Sequence, residues 1–330
     1  MSIKKVANIA GVSIATVSRF FNNPNQLSTR TREKVQAAIK QINYSPNTLA
    51  QNLRRGKTGL LIAVVPQISA PVYESILKQL HRTAKTKGYT LLVKQADLNS
   101  LPLAYYQQMV RCKQADGFIL LTGLPNQDLP QNFQLPLVLA CEPSISSNRN
   151  LVNLTINYQA AAQEAVNYLI HLGHREIAFT ASNNQGGTIK ALLHGFEQAL
   201  LAASLSPSHI AIHNNPAEQY PETLQQLLAT SHPPTALFCA DDDTALRTLQ
   251  WVKSLGIRVP EDLSVIGFND NRYLELTDPP LTTVSQPMDA IGAYAVDLLC
   301  DMIDGKRIGV VPPAFKHTLI IRNSTARILS

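Results

Sequence analysis

Residues 3–22 read Ile3-Lys4-Lys5-Val6-Ala7-Asn8-Ile9-Ala10-Gly11-Val12-Ser13-Ile14-Ala15-Thr16-Val17-Ser18-Arg19-Phe20-Phe21-Asn22. The break at Gly11-Val12-Ser13 decides how the head of the chain folds. Ser2 stands where it can cap a first helix over about 3–10, with Val6, Ala7 and Ala10 inward and Gly11 supplying the turn that stops it. Ser13 then caps a second helix, from Ile14 to about Asn22. The link between them has the length of a helix-turn-helix corner. Asn22-Asn23-Pro24-Asn25 is a breaker, and Ser28 caps a third helix over about 29–43 whose Val35, Ala38, Ile39 and Ile42 face the first two.

Charge separates this head from the rest. Residues 1–58 hold ten basic side chains (Lys4, Lys5, Arg19, Arg30, Arg32, Lys34, Lys40, Arg54, Arg55, Lys57) against the single acid Glu33, a net of +9. The other 272 residues hold 19 basic and 22 acidic side chains, a net of −3. A basic head on a mildly acidic body is the footprint of a nucleic-acid module joined to something else. A solvated basic tail would not carry apolar residues at helical spacing, and this segment does. In a helix-turn-helix the second helix enters the major groove of double-stranded DNA. Arg19 suits the bidentate contact to guanine, Ile14 and Ala15 are apolar enough to meet thymine methyls, and Ser13, Thr16 and Ser18 offer hydroxyls to phosphates.

Tyr44-Ser45-Pro46-Asn47-Thr48-Leu49-Ala50-Gln51-Asn52-Leu53-Arg54-Arg55-Gly56-Lys57 follows. Pro46 can begin a helix and Gly56 can end one, but so short a helix is unstable alone in water. From the residues alone, a segment ordered by DNA and a plain linker both stay open. Val6-Ala7, Gly11-Val12-Ser13, Thr16-Val17-Ser18-Arg19, Thr31-Arg32-Glu33-Lys34-Val35, Tyr44-Ser45-Pro46-Asn47 and Ala50…Leu53 resemble the LacI/GalR family of bacterial repressors in order and spacing. That resemblance implies a headpiece over 1–58 that reads a palindromic operator as a homodimer. It implies a hinge helix over about 47–55, with Asn47, Ala50, Leu53 and Arg54 at the DNA and Leu53 as the minor-groove wedge. It places Ile14 and Ala15 on the two variable positions that choose the operator, where the pair resembles the cytidine- and purine-repressor branches.

From Leu60 short apolar runs alternate with helical stretches. Strand-like runs are 60–65, 89–93, 117–121, 137–140, 177–180, 210–212, 236–240 and 263–268; helical stretches include 72–87, 157–172, 189–203, 218–230, 243–255 and 287–304. This alternation predicts parallel sheets covered on both faces. Some 270 residues are too many for one sheet of this kind, so residues 59–330 are expected to form an α/β core of two lobes with a ligand cleft between them. His171-Leu172-Gly173-His174-Arg175, Arg258-Val259-Pro260-Glu261-Asp262, Val265-Ile266-Gly267-Phe268 and Asp278-Pro279-Pro280-Leu281-Thr282-Thr283 extend the family resemblance through this core. It implies a periplasmic-binding-protein-like fold that closes on a small effector, nucleoside- or sugar-like, and resets the spacing of two headpieces.

The same resemblance points to Tyr73, Cys141, Lys190, Asp241, Asp242 and Asn269 as effector-binding residues. Tyr73 aligns with an aromatic that stacks on the ligand, and Asp241 and Asp242 fall at a strand end that carries ligand-binding groups. Three positions depart from the family pattern: Asn269 stands where an aspartate is usual, Leu192 where an arginine is usual, and Cys141 takes a polar ligand position. A less polar ligand, Lys190 as a substitute cation, and a pocket without high-affinity binding all stay open. No relative's effector transfers across those changes.

Other chemistries find no constellation. The Asp241-Asp242-Asp243 run sits between a strand end and a helix start, where capping accounts for carboxylates without metal. His171 and His174 straddle Gly173 and read as turn packing. Arg55-Gly56-Lys57-Thr58 lacks the leading P-loop glycine because position 51 is Gln51. There is no G-x-G-x-x-G, and Gly11-Val12-Ser13-Ile14-Ala15 fails the nucleophile-elbow pattern at its last residue. No catalytic residue, metal or cofactor is implied.

Four scattered cysteines fit a reducing cytoplasm, and neither a signal-peptide core nor an apolar run of membrane length is present. Six residues after Ser324 leave no room for tetramerising heptads, so a dimer is expected. The rival to an operator-reading regulator is a two-lobed small-molecule binding protein without specific operator recognition. A basic helical head disfavours it.

Overall fold

In the computed structural model, described over residues 2–44, 56–96, 103–123, 135–143, 151–182, 186–213, 220–306 and 312–328, the chain forms two compact units, Met1–Thr58 and Gly59–Ser330. The first contains α1 (Ile3–Ala10), α2 (Ile14–Asn22) and α3 (Thr29–Gln41). Gly11 ends α1 in the left-handed conformation at φ 63°, its N–H reaching the Ala7 and Asn8 carbonyls. The Ser13 and Ser28 hydroxyls accept the Thr16 and Thr31 N–H groups at 3.1 and 3.3 Å, as their cap positions predict. Ser2 is different: its side chain makes no capping bond, and α1 starts without one. Helix α3 also stops short of the expected residue 43, where Asn43 turns left-handed at φ 46°. Val6, Ala7, Ala10, Val17, Val35 and Ala38 form the buried core, with Phe20, Phe21, Ile39, Ile42 and Tyr44 around it.

The second unit carries two sheets. The first has the order β2-β1-β3-β4-β5, from β1 (Leu60–Val65), β2 (Thr90–Gln95), β3 (Gly117–Leu120), β4 (Leu137–Ala140) and β5 (Val152–Leu154). All its pairings are parallel. The second has the order β11-β10-β9-β8-β6-β7, from β6 (Ile177–Ser182), β7 (Ile210–His213), β8 (Ala236–Cys239), β9 (Ser264–Phe268), β10 (Thr282–Ser285) and β11 (Thr318–Ile320). Only the β10–β11 pairing in it is antiparallel. Parallel strands need crossover helices, which cover both faces.

These helices are α4 (Glu74–Thr86), α5 (Leu103–Arg111), α6 (Tyr158–His171), α7 (Gly187–Ala202), α8 (Tyr220–Leu228), α9 (Asp242–Ser254) and α10 (Met288–Ile303). Helix α10 packs on α4, β3 and β4 of the first sheet, so the chain returns to the first lobe after β10 and leaves it again to form β11. Among the described residues no helix is long and apolar enough to cross a membrane.

Strands β5, β10 and β11 and helix α5 are additions to the sequence reading. Strand β10 shows why a search for apolar runs passes over it. Thr282 and Thr283 are fully buried, but their hydroxyls are satisfied internally: Thr283 donates to Asp242 at 2.8 Å and Thr282 accepts from Arg322 N–H at 3.0 Å. The two histidines around Gly173 face different partners, His171 toward the Asn167 carbonyl and the buried His174 toward Thr235 and the Ala326 carbonyl.

Candidate DNA-reading helix and effector cleft

On α2 the buried residue is Val17, which joins the headpiece core. The helix start faces outward: Ile14 is 41% exposed, and Ala15 and Arg19 are also exposed. Thr16 and Ser18 are half-buried, and the Thr16 hydroxyl lies 2.9 Å from that of Ser13. The cap therefore fixes the first turn of the helix that presents Ile14 and Ala15. Asn47, Ala50, Leu53 and Arg54 lie outside the described residues, with the whole of the hinge-helix expectation over 47–55.

In the second unit, Cys141 and Asn269 come together through residues the sequence did not single out. Cys141 ends β4 in a left-handed conformation at φ 68°. Its carbonyl accepts the Tyr158 hydroxyl at 2.6 Å, and its thiol lies 3.6 Å from Met288 Sδ. The Tyr158 hydroxyl is also 3.1 Å from Gln286 Oε1, and Gln286 Nε2 donates to Asn269 Oδ1 at 2.7 Å. Asn269 itself is left-handed at φ 111°. Burial, then the neighbouring Glu142 carboxylate, push the Cys141 thiol up to about 12, so it stays protonated. Tyr73, half-buried at the end of a 3-10 turn, packs against the large core, and burial raises its hydroxyl above the usual range.

The paired aspartates separate. Asp241 caps α9, accepting Thr244 N–H at 2.7 Å, and burial raises its carboxyl above the usual range. Asp242, expected to bind the effector, is buried and turns both its oxygens to partners inside the protein. Oδ2 accepts Asn271 N–H at 2.7 Å and Oδ1 accepts the Thr283 hydroxyl at 2.8 Å. Asp242 therefore ties the turn after β9 to α9. Lys190 stands exposed on α7 and does not join the hydrogen-bond chain of Tyr158, Cys141, Gln286 and Asn269. Leu192, at the position that resembles the family arginine, is fully buried in the large core.

Glu142, Tyr158, Thr188, Gln286 and Met288 are functional candidates the sequence reading missed. Gln286 follows β10, the strand with no apolar signature, and Glu142 acts on a helix far away in sequence. The Glu142 carboxylate accepts the Thr188 N–H at 3.2 Å and its hydroxyl at 2.8 Å.

Residues 2–47 match the bacterial regulatory proteins of the lacI family, and residues 166–325 match the periplasmic binding protein-like domain. The transcriptional repressor CytR of Escherichia coli (strain K12) is 35% identical over 329 residues, covering 98% of this chain and 96% of the relative. Catabolite control protein A of Priestia megaterium is 31% identical over 335 residues, covering 98% and 99%. A crystal structure of the lac repressor dimer bound to operator and the anti-inducer ONPF superposes with a TM-score of 0.82 at 25% identity, covering 99% of each chain. A capped helix-turn-helix followed by two parallel sheets, matched along nearly its full length by these regulators, makes the chain a member of the lacI family of bacterial regulatory proteins.

Proposed function

We propose that this chain is a cytoplasmic transcriptional repressor that reads a two-fold-symmetric operator as a homodimer and is controlled by a small effector. The observation that carries this reading is the outward start of α2. Ile14 is exposed on a headpiece whose core is complete without it. An apolar side chain held by a capped turn, inside a segment of net charge +9, is matched to a groove lined by phosphates and thymine methyls. Ser13, Thr16 and Ser18 take phosphate-facing roles, Ile14, Ala15 and Arg19 read bases, and Asn47, Ala50, Leu53 and Arg54 supply the hinge.

The effector reading rests on Cys141, Asp241 and Asn269, which follow the carboxyl ends of β4, β8 and β9, where open α/β sheets bind ligands, and on Tyr73 in the 3-10 turn after β1. Left-handed Cys141 and Asn269 sit one on each lobe, joined through Tyr158 and Gln286. A ligand that re-orients either residue acts on the segments linking the lobes.

The test is a selection of random DNA duplexes on the purified full chain at about 150 mM salt, where non-specific phosphate binding is weakened. Enrichment of a two-fold-symmetric site is the expected result. If nothing is enriched, either alone or with cell metabolites added, the operator-reading assignment is wrong.

A further inference from the structure

Some helices of this protein carry a side-chain cap of their own, and others, α1, α4, α7 and α10, do not. Helices α2, α3, α6 and α9 start at Ser13, Ser28, Asn157 and Asp241, each accepting an N–H of its own first turn. Helix α7, sixteen residues long, starts at Gly186, which has no side chain to offer. The first N–H groups of a helix have no partner inside it. Here Glu142, at the end of β4 in the opposite lobe, supplies the missing acceptor and takes the Thr188 hydroxyl as well. An acid at a helix N-terminus is also favoured by the helix dipole.

A second, steric observation lies beside it. A Cβ built on Gly187 would come within 2.8 Å of the Pro143 carbonyl oxygen and 3.3 Å of Pro143 Cβ. Gly187 has no positive φ, so its backbone suits any residue, and what excludes a side chain is the approach of the other lobe. Between the same two lobes Arg272, after β9, donates to Glu74 of α4 at 2.8 Å, another carboxylate of the first lobe reaching a donor of the second.

We propose that Glu142 and Gly187 form a built-in clasp that holds the two lobes closed before any effector binds. The first lobe lends a cap to a helix of the second, and the missing side chain at Gly187 lets the lobes meet. The resting state is then the closed one, and an effector acts by opening or re-seating lobes already in contact. This rests on the reading of the cleft as the effector site, but its test does not involve DNA, so failure of operator selection and failure of the clasp are separate results.

The experiment is amide hydrogen exchange, read by mass spectrometry on the full chain without added ligand. The Thr188 N–H has no acceptor within its helix, so its protection reports Glu142 in place. Wild type is expected to show Thr188 protected. Gly187→Ala, which improves helix propensity but wedges against Pro143, is expected to exchange Thr188 at least ten-fold faster, and Glu142→Ala likewise. Unchanged protection across Phe196–Leu200 in both variants shows that α7 remains folded. A Thr188 amide that exchanges at the unprotected rate in wild type, or at the wild-type rate in Gly187→Ala, overturns the clasp. Should Glu142→Ala fail to fold, the Gly187→Ala comparison alone decides.

Discussion

Asp242 carries a carboxyl that burial pushes up to about 7, against the hydrogen bonds from Asn271 and Thr283 that favour its charged form. Its folded pKa lies above the unfolded carboxylate value, so the folded state binds the proton more tightly. Stability linked to this group is present at low pH and declines as pH rises from about 4 through about 7. Asp242→Asn keeps an oxygen for the Asn271 N–H and removes the buried charge. The variant is expected to gain on wild type by one to a few kcal/mol at pH 8, roughly, and by almost nothing at pH 4. Urea unfolding midpoints at the two pH values check this, and a gain that does not depend on pH refutes it. Asp242→Ala instead leaves the Asn271 N–H buried without an acceptor and is expected to cost about 1–3 kcal/mol. Arg19 is exposed on the reading helix, and its replacement by Ala is expected to weaken operator binding by about 1–3 kcal/mol and relax one base position. A variant that selects the same site with the same stringency removes Arg19 from base readout.

At the scale of the elements, helices and strands that bury an apolar stripe or carry a local cap are legible from sequence: α2 from Ser13, α3 from Ser28, β1 and β4 from unbroken apolar runs. Elements held by distant polar partners are not. Strand β10 buries threonines whose partners, Asp242 and Arg322, lie 41 and 40 residues away. Helix α7 is capped by Glu142 across 46 residues. The same limit applies to the cleft. Cys141 and Asn269 stand out by their departure from a family pattern, but Tyr158 and Gln286, which join them, carry no local signal. The close packing of α6 on α7 also depends on a residue with no local signature. A Cβ on Gly195 would lie 2.3 Å from the Gln159 carbonyl oxygen and 2.8 Å from Ala162 Cβ. Because a backbone atom cannot move aside cheaply, Gly195→Ala is expected to cost about 1–3 kcal/mol, despite the better helix propensity of alanine. Chemical denaturation measures it, and a stability equal to wild type would show that the two helices separate without strain.

Over the whole molecule, the charge division makes a prediction that no single residue makes. The head holds ten basic side chains against one acid, and the remaining chain is net negative. If the head alone meets the phosphates, each phosphate neutralised releases counterions, and log K falls against log salt with a slope of about −0.9 per phosphate. A dimer places two such heads on one operator. Even three phosphates neutralised by each head give a slope of roughly −5, about a thousand-fold weaker binding at 200 mM salt than at 50 mM. Exchanging Lys4 or Lys34 for Gln, away from the base-reading face of α2, is expected to flatten the slope by about one for every phosphate that is no longer neutralised, while leaving the selected sequence unchanged. Arg19→Ala is expected to do the reverse, changing the sequence more than the slope. Fluorescence anisotropy titrations over a salt series, on the selected site and on a scrambled one, separate the two effects. A slope near zero on both duplexes would mean that the basic head is not what holds the DNA, and the charge division would then need another cause.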